Sequence, residues 1–166
     1  PATSATPPGP RPLVLFLHGS GERGDDGLKP TLAGIGPWLT QNMDTFPALV
    51  VFPQVPEDEE WRGRNARMAL AVLEAASKEF SADPQRIYLT GISMGGYGSW
   101  ELALTQPDQF AALVPICGAL RAPRADRPGL VVDQVANVAD PYQSVVSRLR
   151  HVPTWIFHGA LDGLVP

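Results

Sequence analysis

Short, uninterrupted apolar runs alternate along this chain with segments of helical periodicity, and that alternation constrains the fold more than any other feature. Residues 13–17 read Leu-Val-Leu-Phe-Leu, and residues 48–52 form a second run closed by Pro53. Short continuous runs of this kind fit strands buried on both faces. Between residues 65 and 80, apolar side chains fall at 69, 72, 73, 76 and 80, which predicts a helix. Asp83-Pro84 breaks that pattern, and residues 86–90 predict a third strand. A helix over 97–105 stopped by Pro107, a strand over 111–117, a loop-like stretch over 118–140, a short helix over 142–150 and a strand over 154–158 complete the series. Strands alternating with helices predict an α/β fold: a mostly parallel sheet with helices on both faces.

Size and composition narrow the remaining choices. A chain of 166 residues makes one domain, expected over residues 13–166. Residues 1–12 carry five prolines and predict a flexible extended lead-in, and Glu57 to Glu60 reads as a solvated loop or a helix start. Thirteen Lys and Arg against seventeen Asp and Glu give a net charge of −4, which argues against a nucleic-acid partner. No uncharged apolar run reaches the roughly 18 residues of a membrane helix, so no membrane partner is expected. The single Cys117 excludes an internal disulfide framework and, at the end of the fourth strand, reads as inert core. Three scattered histidines and one cysteine lack metal-ligand spacing, so neither a metal nor a cofactor is expected.

In parallel sheets ligands collect at the carboxyl ends of strands, so the residues just after each strand carry the functional signal. After the third strand stands Gly91-Ile92-Ser93-Met94-Gly95, a G-x-S-x-G between strand and helix, which is the context of a nucleophile elbow. A serine on so tight a turn has strained backbone angles, and side chains two residues to either side would collide with neighbouring backbone. Ser93 is therefore the candidate nucleophile. After the first strand stands His18-Gly19-Ser20-Gly21; a loop here supplies one oxyanion donor in enzymes with this elbow, so the backbone N–H groups of Ser20 and Met94 are the candidate pair. Residues 19–24 also spell G-x-G-x-x-G, but Asp25-Asp26 follow where a pyrophosphate would sit, which argues against a dinucleotide site. After the fifth strand, Asp162 occupies the place of a triad acid, with Asp133 and Asp140 in reserve; an Asp-Gly turn is the plainer alternative.

The stretches LVLFLHGSGERGDD, DPQRIYLTGISMGGYGSWELA and PTWIFHGALDGLVP resemble α/β-hydrolase serine esterases, in particular the polyhydroxyalkanoate-depolymerase-like and feruloyl-esterase-like group, some of whose relatives are described as peptidases. The resemblance runs from about Arg11 to Pro166. It implies Ser93 as nucleophile, Asp162 as acid, and a catalytic histidine on a loop after one further strand, beyond Pro166. The expected core is thus incomplete at its C-terminal end, with an uncovered sheet edge through which chains could self-associate. Of the histidines present, His18 is expected to hold the loop after the first strand. His151 and His158 are poor candidates for the base. Trp61 and Tyr97 are candidates for the substrate pocket or for packing, and Trp38 for packing.

The expected activity is hydrolysis of acyl or aromatic esters, of feruloyl or polyester type, through an acyl-enzyme. The alternatives are a serine peptidase on the same fold and an inactive hydrolase-like binding module. The expected location is secreted or periplasmic, with the cytoplasm as the alternative.

Overall fold

The computed structural model describes residues 9–166. Four strands, β1 (Arg11–Leu17), β2 (Leu49–Val51), β3 (Ala82–Ile92) and β4 (Ala112–Ile116), form one sheet in the order β2-β1-β3-β4. Every pairing is parallel, with Leu15 opposite Val51 on one side and Leu89 on the other. Four helices accompany them: α1 (Gly36–Asn42), α2 (Gly63–Glu79), α3 (Met94–Thr105) and α4 (Pro141–Leu149).

The core follows from the two-residue period of β1. Leu13, Leu15 and Leu17 are fully buried beneath α2 and α3 and join Leu89, Leu102 and Leu113 in one cluster. Phe16 points to the opposite face, where it meets Phe52 at a ring separation of 5.3 Å and lies under Gly34. The helices therefore divide unequally: α2, α3 and α4 pack together on one face, and the other carries α1 with the segment before it. Helix α3 is buried on every side, lying between the sheet and its helical neighbours.

Several expected boundaries shift. Strand β1 starts at Arg11, inside the stretch expected as a lead-in, whose residues 1–8 lie outside the described residues. Helix α3 starts at Met94 rather than at residue 97 because its first turn is the Ser93 turn itself. The buried stripe of α2 is Asn65, Ala66, Ala69 and Leu73, whereas Val72 and Phe80, counted as core-facing in the sequence, are exposed. Trp38, expected to pack, is 52% exposed, its ring meeting only the edge of Phe46 among aromatic neighbours.

The expected fifth strand is interrupted. Residues 153–157 run parallel to β4, with bridges from Leu113 to Thr154 and from Ile116 to Phe157. The Leu113 amide donates to the Pro153 carbonyl, and the Trp155 and Phe157 amides donate to Leu113 and Pro115. The rung between the bridges is missing because Pro115 has no N–H to give the Trp155 carbonyl. Trp155, Ile156 and Phe157 are exposed along this edge.

Candidate active site

Ser93 sits at the junction of β3 and α3 with φ 55° and ψ −117°, a conformation that costs a non-glycine residue on the order of 1–3 kcal/mol. The surroundings hold it there. Its amide donates to the Ile116 carbonyl at 2.9 Å, and its carbonyl accepts from Gly96 at 2.8 Å and Tyr97 at 3.2 Å. The flanking glycines are required by close approach. A Cβ on Gly95 would stand 1.9 Å from the Leu17 carbonyl oxygen, and one on Gly91 would stand 2.3 Å from the Gly95 carbonyl oxygen. The G-x-S-x-G spelling is thus the condition under which β3, β1 and α3 can meet at this turn.

The turn faces a cavity of about 330 Å³. Ser93 and Ile92 line it from one side and residues 19–22 from another; Leu164, Val165 and the loop carrying Arg124, Arg127 and Leu130 close it. Ser20 opens a short 3-10 turn, Ser20–Glu22, and Met94 is the first residue of α3. First-turn helix amides have no partner within the helix, and the positive end of the helix dipole points the same way. The structure therefore brings the Ser20 segment and Ser93 to one cavity, with the buried Met94 next to Ser93 in the chain as the first residue of α3.

His18 braces this wall and faces away from solvent. It is fully buried; its Nε2 accepts from the Val55 amide at 3.0 Å, which leaves Nδ1 to donate to the Gly19 carbonyl at 2.6 Å. Burial is the main cause that holds its pKa below the ordinary value, so the ring is neutral at pH 7. Trp61 completes the brace, donating from Nε1 to the His18 carbonyl at 2.9 Å with its ring edge-on to the imidazole. A depressed folded pKa stabilises the fold above the unfolded value of about 6.5, and this contribution is lost as pH falls through the folded pKa. Acidification from pH 7 to pH 5 should therefore lower Tm, and His18→Asn, less stable at pH 7, should show a flatter profile in that window. Thermal melts of both proteins across that range check this; parallel profiles would contradict it.

Asp162 lies on the loop after the interrupted fifth segment. Its Oδ1 accepts from the Leu164 and Val165 amides, each at 2.9 Å, and these two bonds hold its carboxyl below the usual range. Its Oδ2 is 3.7 Å from His158 Nε2, which approaches the Val165 carbonyl at 2.6 Å. The Asp162 charge is also felt at Tyr97 and Cys117, beside the Ser93 turn. Asp162 is thus both a turn aspartate and a carboxylate on the Ser93 side of the molecule. The reserve candidates are engaged elsewhere: Asp133 pairs with Arg62 at 3.2 Å, and Asp140 caps α4 by accepting from the Gln143 amide.

Neither of the other histidines lines the Ser93 cavity. His158 lines a separate apolar groove of about 640 Å³ beside α4, and His151 contacts Asp108 and the Pro107 carbonyl. Trp61 and Tyr97, candidates for the pocket, are both buried beneath it. The Tyr97 hydroxyl donates to the Arg121 carbonyl at 3.2 Å, and burial, then the Asp162 charge, push its pKa up to about 12. Cys117 departs from the reading as core in its burial alone, since a raised thiol pKa disfavours the reactive thiolate. It is half-buried with φ 42°, its sulfur faces the Ser93 amide, and burial raises its thiol pKa. The decoy glycine motif folds as the 3-10 turn, with the following Asp26 carboxylate accepting from the Leu28 and Lys29 amides. Among the described residues no three His, Cys, Asp or Glu side chains gather as a metal site, and no helix is long and apolar enough to cross a membrane.

Sequence reasoning missed Glu22, Arg124, Arg127, Leu164 and Val165 as cavity residues. The arginines lie in a stretch without periodicity, so nothing local pointed to them. The strain at Cys117 carried a weak signal, since it follows β4 as Ser93 follows β3.

A parallel sheet with a strained serine between β3 and α3 gives this chain the α/β-hydrolase fold. Within that class it is similar to esterases and polyester depolymerases. A thermostable esterase of known structure superposes with a TM-score of 0.62 at 25% identity, over 96% of this chain and 50% of that one. A poly(3-hydroxyoctanoate) depolymerase of Pseudomonas fluorescens is 32% identical over 97% of this chain and 60% of its own length. Poly(3-hydroxyalkanoate) depolymerase C of Paucimonas lemoignei is 27% identical over 67% of this chain and 28% of its own. The prolyl oligopeptidase family model matches residues 58–126. The chain spans between 28% and 60% of the lengths of the curated relatives it matches.

Proposed function

We propose that this chain carries the nucleophile half of a serine carboxyl-ester hydrolase acting on esters of the polyester or short acyl type. The observation that carries the reading is Ser93, held at φ 55° on the floor of a cavity shared with the Ser20 turn. In the proposed reaction the Ser93 hydroxyl gives its proton to a histidine as Oγ attacks the ester carbonyl. The Ser20 and Met94 amides hold the oxyanion, the alcohol leaves with the histidine's proton, and water releases the acid from the acyl-enzyme. Asp162 is proposed to orient that histidine. We place the histidine outside these 166 residues, because His18 is locked in the wall and neither His151 nor His158 lines the cavity.

Similarity to polyester depolymerases supports the ester reading over a broader hydrolase. The match of residues 58–126 to the prolyl oligopeptidase family keeps a peptidase as the second reading. A histidine-complete form should hydrolyse short acyl and 3-hydroxyalkanoate esters and leave a panel of proline-containing and N-acylated peptides intact. Cleavage of peptides without ester turnover would reverse the assignment.

A further inference from the structure

The charges around the Ser93 cavity are arranged unevenly. Only Glu22, Arg124 and Arg127 among its lining residues are charged. Glu22 belongs to the wall of the Ser20 turn, where its Oε2 stands 3.2 Å from the position a Gly19 Cβ would take. Both arginines come from the loop between β4 and α4. Arg124 is already engaged: its Nε and Nη2 each lie 3.2 Å from a separate Asp126 carboxylate oxygen. Arg127 has no ion-pair partner among the described residues.

Its backbone is nevertheless well fixed. The Arg127 amide donates to the Arg124 carbonyl at 3.1 Å, and the Arg127 carbonyl accepts from Leu130 at 3.2 Å, so the residue joins two consecutive turns. Pro128 restricts the second turn, Leu130 is buried, and Arg62 donates to the Gly129 carbonyl at 3.3 Å. A guanidinium is a planar fork of donors that matches a carboxylate, and here the fork is free while its base is anchored. The same cavity is also lined by the apolar side chains of Ile92, Leu130, Leu164 and Val165.

We propose that Arg127 is a specificity-determining residue that selects esters bearing a free carboxylate a few carbons from the scissile carbonyl. The apolar stretch takes the intervening methylenes, and Glu22 disfavours the opposite orientation by like-charge repulsion. The proposal rests on the reading of the Ser93 cavity as the ester site. The carboxylate could belong to the acyl part, as in a half-ester of a dicarboxylic acid, or to the alcohol part, as in a dimer of a hydroxy acid.

Binding separates this proposal from the proposed hydrolysis. In the protein carrying Ser93→Ala, which cannot form an acyl-enzyme, calorimetric titration with monomethyl glutarate tests the acyl arm and 3-acetoxybutanoate the alcohol arm. Dimethyl glutarate and methyl 3-acetoxybutanoate are the neutral controls. At least one carboxylate should bind about five- to tenfold tighter than its neutral control. Arg127→Gln should abolish that preference, Arg124→Gln should keep it, and raising salt to ~0.5 M should shrink it. Equal affinity for acid and neutral ester, a preference that survives Arg127→Gln, or no binding of any of the four would overturn the proposal. Failure of the hydrolysis reading would instead appear as absent ester turnover with Ser93 intact.

Discussion

Ser93→Ala in a histidine-complete form should reduce ester turnover by about 10⁶-fold while leaving the thermal midpoint unchanged or raised. Removing a triad nucleophile costs about as much as removing the whole triad, and what remains is the contribution of oxyanion donors and binding. Stability should not fall, because the alanine loses only a hydroxyl while keeping the amide bond to Ile116 and the bonds from Gly96 and Tyr97. The backbone strain at φ 55° is the same for both residues. The measurement is kcat on a 4-nitrophenyl acyl ester beside a melting curve. Residual turnover within tenfold of wild type would remove Ser93 from the chemistry.

Asp162→Asn should lower kcat by about 10⁴-fold with little change in KM, because the amide would favour the wrong histidine tautomer. The turn should survive the change. Oδ1 is the atom that accepts from Leu164 and Val165, and an asparagine oxygen can take both bonds. That separates the catalytic role from the turn role, since only the catalytic one distinguishes a carboxylate from an amide so sharply. Turnover and circular dichroism of Asp162→Asn, Asp133→Asn and Asp140→Asn together decide it. An active Asp162→Asn beside an inactive Asp133→Asn would move the acid to the loop after β4.

The elements that the sequence made legible were those whose local pattern and tertiary environment agree. Residues 13–17 and 86–90 lie within β1 and β3, since a continuous apolar run in the first and the Ile87-Tyr88-Leu89 centre of the second need no partner to be recognised. The Ser93 turn was legible for a different reason: Gly91 and Gly95 are imposed by backbone contacts that no other residue would permit. Helix α1 escaped because its seven residues carry Gly36 and Pro37 and show no amphipathic repeat. The phase of α2 was misjudged at Val72 and Phe80, since a period fixes a stripe only when its centre is known. The broken fifth strand was written in Pro115, on the neighbouring strand, where a reading of residues 154–158 could not see it.

The candidate site divides along the same line. Ser93, Ser20 and Met94 stand in motifs whose spacing places them at strand ends; Ser93 and Ser20 line one cavity, and Met94 is buried at the start of α3. Trp61, in the loop after β2, and Tyr97, two residues past the glycine motif, both prove buried; α3 is buried all round, so its periodicity could not tell whether Tyr97 was pocket wall or packing. Arg124 and Arg127 reach the cavity by tertiary folding of an irregular loop, which leaves no local trace.

The central claim is that Ser93 is a nucleophile presented by a strained turn. Its most direct test is labelling of a histidine-complete form with a fluorophosphonate, followed by digestion and mass spectrometry. One adduct is expected, on the peptide containing Ser93, absent from Ser93→Ala and strongly slowed in Asp162→Asn. An adduct on another residue, or unchanged labelling of Ser93→Ala, would contradict it.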